Sequence, residues 1–135
     1  MKKNIITWIA QILVVLILGQ TLFAKFTGAP EPVELFTQLG MEPTGRYLIG
    51  FLELVACLLL LSNGSAALGA ILAWGLMSGA IIGHITEIGF QGDRGILGSM
   101  AIAAWLLSLV VLYCRKEQVP FIRAVFRLSK NELHN

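Results

Sequence analysis

Four long apolar stretches constrain this chain more than any other feature. They run roughly from Ile5 to Ala24, Gly45 to Ser62, Ala66 to Ile88 and Gly95 to Cys114. Crossing a bilayer takes about 20 apolar residues, and the second stretch is the shortest of the four. In lipid each stretch must be a helix, because every backbone N–H has to find its partner within the segment. The 135 residues are 56% hydrophobic and only 13% charged. A single soluble domain of this size has too much surface for its volume to hide so much apolar side chain. A soluble fold, a disordered chain and a secreted disulfide scaffold are therefore excluded. The expected fold is all-α: an integral membrane four-helix bundle over residues 1–115, followed by a basic cytoplasmic tail over 116–135.

Charge sets the expected orientation. Four spans bring both ends to one side, which then holds Lys2, Lys3, Arg115, Lys116, Arg123, Arg127 and Lys130. The other side holds only Lys25, Arg46 and Arg94. By the positive-inside rule both termini are cytoplasmic and the chain is a multi-pass protein of the bacterial inner membrane. Lys2-Lys3 before an apolar run also fits the start of a signal peptide, but Leu22-Phe23-Ala24-Lys25 lacks a small-x-small cleavage site, so the first span is expected to be retained. Ser62-Asn63-Gly64-Ser65 is a tight turn that makes spans two and three antiparallel neighbours. Between spans one and two, Val33, Leu35, Phe36 and Leu39 stand at helical spacing and Gly40 at a helix stop, which predicts a short helix on the outer surface. Pro120 opens a second amphipathic stretch. There Phe121, Ile122, Val125, Phe126 and Leu128 line one side, while Arg123, Arg127 and Lys130 line another and are expected to meet lipid headgroups. A net charge of +2 gives no reason to expect a nucleic-acid partner.

Gly75, Gly79 and Gly83 recur every four residues in the third span, a ridge along which another helix can approach, within the bundle or in a homo-oligomer. Trp8 falls near the inner interface, whereas Trp74 and Trp105 fall deeper and are expected to pack. The informative residues are the ionisable ones at membrane depth, which are costly there and face protein or a cavity. Glu53 lies about 12 Å into the second span. Arg46, Gly50, Glu53 and Cys57 share its face, and His84 and Glu87, three apart, are expected to share a face of the third span. Topology brings Gln20, Lys25, Arg46, Glu53, His84 and Glu87 to the outer half, which predicts a polar pocket opening outward. Gln11, nine residues from Gln20, points the other way. Glu53 can equally pair with Lys25, Arg46 or His84 and lock the bundle. Left without such a partner, it could stay neutral and, with His84, hold a quinone or relay a proton.

Other chemistries find little support. His84-x-x-Glu87 offers two metal ligands and lacks the further acids and second His of a bundle site, so no metal is expected. Cys57 lies mid-membrane and Cys114 at a span end, so they are not expected to form a disulfide.

The chain resembles the DoxX family of small bacterial four-span membrane proteins. The resemblance is carried by Gly19-Gln20-Thr21-Leu22-Phe23-Ala24-Lys25-Phe26-Thr27-Gly28, by Phe36-Thr37-Gln38-Leu39-Gly40, by Gly50-Phe51-Leu52-Glu53-Leu54 and by Gly83-His84. It covers nearly all of the chain up to about Arg115. The family's namesake belongs to a membrane thiosulfate:quinone oxidoreductase, and other members are thought to assist membrane redox or thiol-stress complexes. The resemblance thus implies Lys25, Glu53 and His84 as candidate pocket residues and assigns no catalytic residue. Three functions stay open. The first is an accessory or quinone-linked subunit of a membrane redox system; the chain carries no haem, flavin or iron–sulfur motif, so any oxidoreductase activity would need a redox partner protein. The second is a non-catalytic protein that binds a lipid or lipophile or stabilises a complex. The third is a small proton or solute pathway.

Overall fold

The computed structural model describes residues 2–62 and 64–134. The side chains of Lys2, Lys3, Pro120, Phe121, Ile122, Arg123, Val125 and Phe126 lie outside the described residues, and with them the expected headgroup contact of Arg123. Six α-helices follow one another: α1 (Lys2–Thr27), α2 (Pro30–Gln38), α3 (Thr44–Leu60), α4 (Ala66–Gly83), α5 (Asp93–Cys114) and α6 (Pro120–Leu133). A π-helical turn, His84–Ile88, prolongs α4, and a short 3₁₀ turn, Lys116–Gln118, precedes α6. No strand occurs among the described residues. The protein is an all-α membrane bundle.

Among the described residues, three helical segments are long and apolar enough to cross a membrane: Asn4–Thr27, Ala66–Ile88 and Asp93–Cys114. The fourth helix of the bundle, α3, has 17 residues. That is about 25 Å of helix, somewhat less than the hydrocarbon thickness. Its start follows Pro43 and its end precedes the Ser62–Ser65 turn, so punctuation rather than hydropathy limits its length. The short helix α2 lies at the same end as the start of α3. Prolines in its first turn suit the N–H groups that have no intrahelical partner there. Gly28 and Gly40 flank it with φ of 70° and 73°, a backbone region that favours glycine.

The four long helices form a square in which α1 and α4 each pack against both α3 and α5. The core is built mainly of small residues: Ala10 and Val14 from α1, Ala56 from α3, Ala70 and Ala73 from α4, and Ala101 and Ala104 from α5. Small side chains let the backbones approach, and dispersion contacts between them hold helices together where lipid offers no hydrophobic drive. The closest approach is at Gly69. A Cβ there would stand 2.8 Å from the Leu60 amide nitrogen and 3.0 Å from the Ala56 carbonyl oxygen, so α3 and α4 touch backbone to backbone. Between α4 and α5, Trp74 and Trp105 stack with centroids 5.9 Å apart, and Trp105 Nε1 donates to Ser78 Oγ at 2.8 Å. Trp105 is half-buried between them, whereas Trp74, expected to pack, stands exposed on the outside of α4 with one face on Trp105. Large apolar side chains such as Leu16, Phe51, Leu58, Ile82 and Leu106 stay exposed around the outside, the arrangement of a bundle whose solvent is lipid.

Polar residues gather at the two ends of the square. At one end, Gln11 Nε2 donates to the Leu60 carbonyl at 2.6 Å, Arg115 Nε donates to Gln11 Oε1 at 3.2 Å, and the Ala67 N–H donates to Gln118 Oε1 at 3.0 Å. These bonds tie the first half of α1, the α3–α4 turn and the start of the tail together. The other end carries α2, the π-turn and the start of α5. There the Gln38 side chain donates to the Glu87 carbonyl at 2.7 Å, and Arg94 reaches Glu34 at 3.3 Å and the Ile88 carbonyl at 3.1 Å.

Candidate functional site

A cavity of about 380 Å³ lies at the α2 end and draws its walls from α1 to α5. Most of its lining is apolar, including Ile17, Ile49, Leu76, Met77, Leu97 and Met100. Leu35 and Phe36 of α2 and Leu39 just after it also line it. The polar side chains on its wall are Thr21, Lys25, Glu31, Glu53 and His84.

Glu53 is 1% exposed and meets two partners from α1. Lys25 Nζ lies 2.9 Å from its Oε1, and the Thr21 hydroxyl lies 3.1 Å from its Oε2. That hydroxyl also lies 2.9 Å from the Leu18 carbonyl, so one donor serves two acceptors. The Lys25 side chain is 13% exposed. Of the three cations offered to Glu53 by the sequence, Lys25 is the one that takes it. Arg46 is engaged elsewhere. Its Nε sits 2.9 and 3.0 Å from the two carboxylate oxygens of Glu42, its Nη1 donates to the Lys25 carbonyl, and its guanidinium covers the Tyr47 ring at 4.4 Å. Arg46 therefore clamps the end of α1 to the start of α3 and does not line the cavity. Gly50 makes this crossing close: a Cβ there would stand 3.5 Å from Lys25 Cβ and 3.4 Å from the Phe26 ring. The whole Arg46, Gly50, Glu53, Cys57 face of α3 is buried, with Cys57 Sγ 3.9 Å from the Val15 carbonyl. Both cysteines are free thiols.

His84 is 5% exposed and opens the π-turn. Its Nδ1 lies 2.9 Å from the Ala80 carbonyl. Its Nε2 is buried with no hydrogen-bond partner among the described residues. The ring packs against Phe90, with centroids 5.4 Å apart. Gly98 makes room for that pair on α5, since a Cβ there would collide with the Phe90 ring and crowd His84 Cδ2.

Besides Arg46, two more expected pocket residues lie elsewhere. Glu87 is exposed because the backbone leaves α geometry at His84. The Gly89 N–H bonds the His84 carbonyl five residues back at 2.7 Å, which widens the turn and brings Ile88, not Glu87, beneath His84. Gln20 is exposed too, because the inward face of α1 carries Thr21 and Lys25, four apart. That spacing was the available sign of Thr21, which residue-type reasoning passed over.

The glycine ridge also has a different place from the one its spacing suggested. No atom of the described residues comes within 4 Å of a Cβ built at Gly75 or Gly79, and at Gly83 only Ile88 Cδ1 at 3.8 Å and Leu39 Cδ2 at 3.9 Å do. Among the described residues no helix packs along Gly75 and Gly79; Gly69 serves the close contact instead. All three ridge glycines line the cavity. Gly75 and Gly79 are exposed, so the cavity opens sideways along α4. Gly69, Leu76 and Gly83 fall on one flank at seven-residue spacing, and Gly69 touches α3, so this flank is turned toward α3.

A family model described as the DoxX-like family matches residues 9–113. The chain belongs to the DoxX-like family. No curated protein and no solved structure matches it. The matched region holds most of the four long helices and the whole cavity. Lys25, Glu53 and His84, the positions that the family resemblance nominated, stand on the wall of this one DoxX-like cavity.

Proposed function

We propose that the protein binds a small lipophile of the quinone class in the cavity at the α2 end and serves as an accessory or quinone-linked subunit of a membrane redox system. The observation that carries this reading is the cavity itself: about 380 Å³, mainly apolar walls, a sideways opening, and a few polar side chains on the wall, Thr21, Lys25, Glu31, Glu53 and His84. Small-molecule sites have this composition, with polar groups placed to orient a ligand whose body is held by apolar contact. A lipid-facing opening suits a ligand that travels in the bilayer. The proposal includes a redox partner protein that delivers or takes the electrons. It also places both termini in the cytoplasm of a bacterial inner membrane, with the cavity in the outer half. The basic residues of the tail support that orientation, and Arg127 and Lys130 are exposed on α6 to meet anionic headgroups.

One observation favours a second reading. Both oxygens of Glu53 are met by groups of the bundle itself, Lys25 and Thr21, as expected of a structural lock in a non-catalytic, complex-stabilising protein. The two readings separate in a titration. A short-tailed benzoquinone, offered oxidised and reduced to the protein in lipid nanodiscs, should bind saturably at one site per chain in at least one redox state. Gly79→Leu, which places a side chain in the opening, should abolish it. Partitioning indistinguishable from empty nanodiscs in both redox states would leave the stabilising role as the better account.

A further inference from the structure

Charges around the cavity do not balance. The cations at the α2 end are Lys25, Arg46 and Arg94, and each is committed: Lys25 to Glu53, Arg46 to Glu42 and Arg94 to Glu34. Glu31, Glu87 and Asp93 at that end are left without a cation among the described residues. Two of these three carboxylates are placed together. A recess of about 210 Å³ shares Glu31, Leu35 and Leu97 with the large cavity and adds Glu34, Asp93 and Arg94 to its own wall. Three carboxylates there face one guanidinium, so the recess is net negative. The wall of the cavity has the same bias, since Glu53 matches the Lys25 ammonium and Glu31 is matched by nothing. A mainly apolar chamber and a negative recess thus share a wall.

We propose that the cavity also takes lipophilic cations, with the apolar body among Leu76, Met77, Leu97 and Met100 and an ammonium group in the recess between Glu31 and Asp93. The proposal rests on the cavity being a lipophile site and not on the quinone. Burial of the body supplies affinity for any lipophile of the right size. The two unmatched carboxylates add attraction for a positive group, stronger beside an apolar wall than in bulk water. A neutral lipophile gains nothing from them, and an anionic one is repelled.

Three fluorescent probes test the assignment. (2-Naphthylmethyl)trimethylammonium and 2-neopentylnaphthalene have one shape, with nitrogen in the first where the second has carbon, and 2-naphthylmethanesulfonate carries the opposite charge. Micelles of an uncharged maltoside bring no ammonium of their own. In them, corrected for partitioning into empty micelles, the cation should bind saturably and about tenfold more tightly than the hydrocarbon. Glu31→Gln combined with Asp93→Asn should bring the two affinities within about twofold of each other. Glu87→Gln removes the same kind of charge from a residue that lines neither space, and should leave the preference intact. All three carboxylates are on exposed residues, so these variants disturb no packing. Gly79→Leu should remove saturable binding of both probes. Equal affinity of the cation and the hydrocarbon for the wild-type protein overturns the proposal. So does a preference that survives the double variant or falls as far in Glu87→Gln, and so does a sulfonate that binds as tightly as the cation. If Gly79→Leu still blocks the hydrocarbon in those cases, the cavity reading survives. Absence of saturable binding for both the cation and the hydrocarbon, or binding indifferent to Gly79→Leu, contradicts the cavity reading and the proposal together.

Discussion

Glu53 is held by groups from another helix, and its partner Lys25 comes from the end of that helix. A carboxylate that is 1% exposed is stable there only while its cation stays in place. Lys25→Met strands it. The variant should lose about 3 kcal/mol of stability, measured by reversible unfolding in mixed micelles, and Lys25→Met combined with Glu53→Leu should recover most of that loss. A single variant as stable as the wild type would show that the pair contributes little. The convergence of Lys25 and Glu53 was legible in the sequence, because antiparallel spans bring positions 25 and 53 to one membrane level. The choice of Lys25 over Arg46 was not. It depends on Glu42, four residues earlier, and on the neighbouring Tyr47 holding the Arg46 guanidinium at the start of α3, side-chain contacts that apolar periodicity does not reveal.

At the scale of elements, glycine spacing tells where side chains are missing and says nothing about what fills the space. Gly69 and Gly75 illustrate the difference within one helix. A Cβ at Gly69 would press on Leu60, Leu59 and Ala56 of α3, whereas at Gly75 it would meet nothing within 4 Å. Gly69→Ala should destabilise the bundle by roughly 1–3 kcal/mol through overpacking. Gly75→Ala should be neutral or stabilise by up to about 1 kcal/mol, the propensity difference between the two residues in a helix. Opposite signs in the same unfolding assay are the expected result; equal losses would mean that the ridge is packed after all. The π-turn teaches a related lesson. His84 and Glu87 share a face only while the helix keeps α geometry, and the wider turn from His84 to Ile88 exposes Glu87 and leaves His84 buried. The helices α2 and α6 were legible because proline starts both, and a glycine with φ of 73° follows the first.

For the whole molecule, hydropathy was enough to predict an all-α membrane bundle, since lipid leaves a chain this apolar few alternatives. The cavity was legible only as a level at which polar residues meet. Its walls and its opening beside α4 depend on how side chains of five helices pack together, which no single stretch of sequence encodes. A cavity lined in this way by exposed glycines is the central claim of this account. Native mass spectrometry of the protein released from detergent, followed by extraction and identification of what stays bound, tests it most directly. The account predicts one lipophile of the quinone class per chain in the wild-type protein and none in a folded Gly79→Leu variant. A wild-type protein that is empty, or that carries the same bulk phospholipid as the variant, would contradict it.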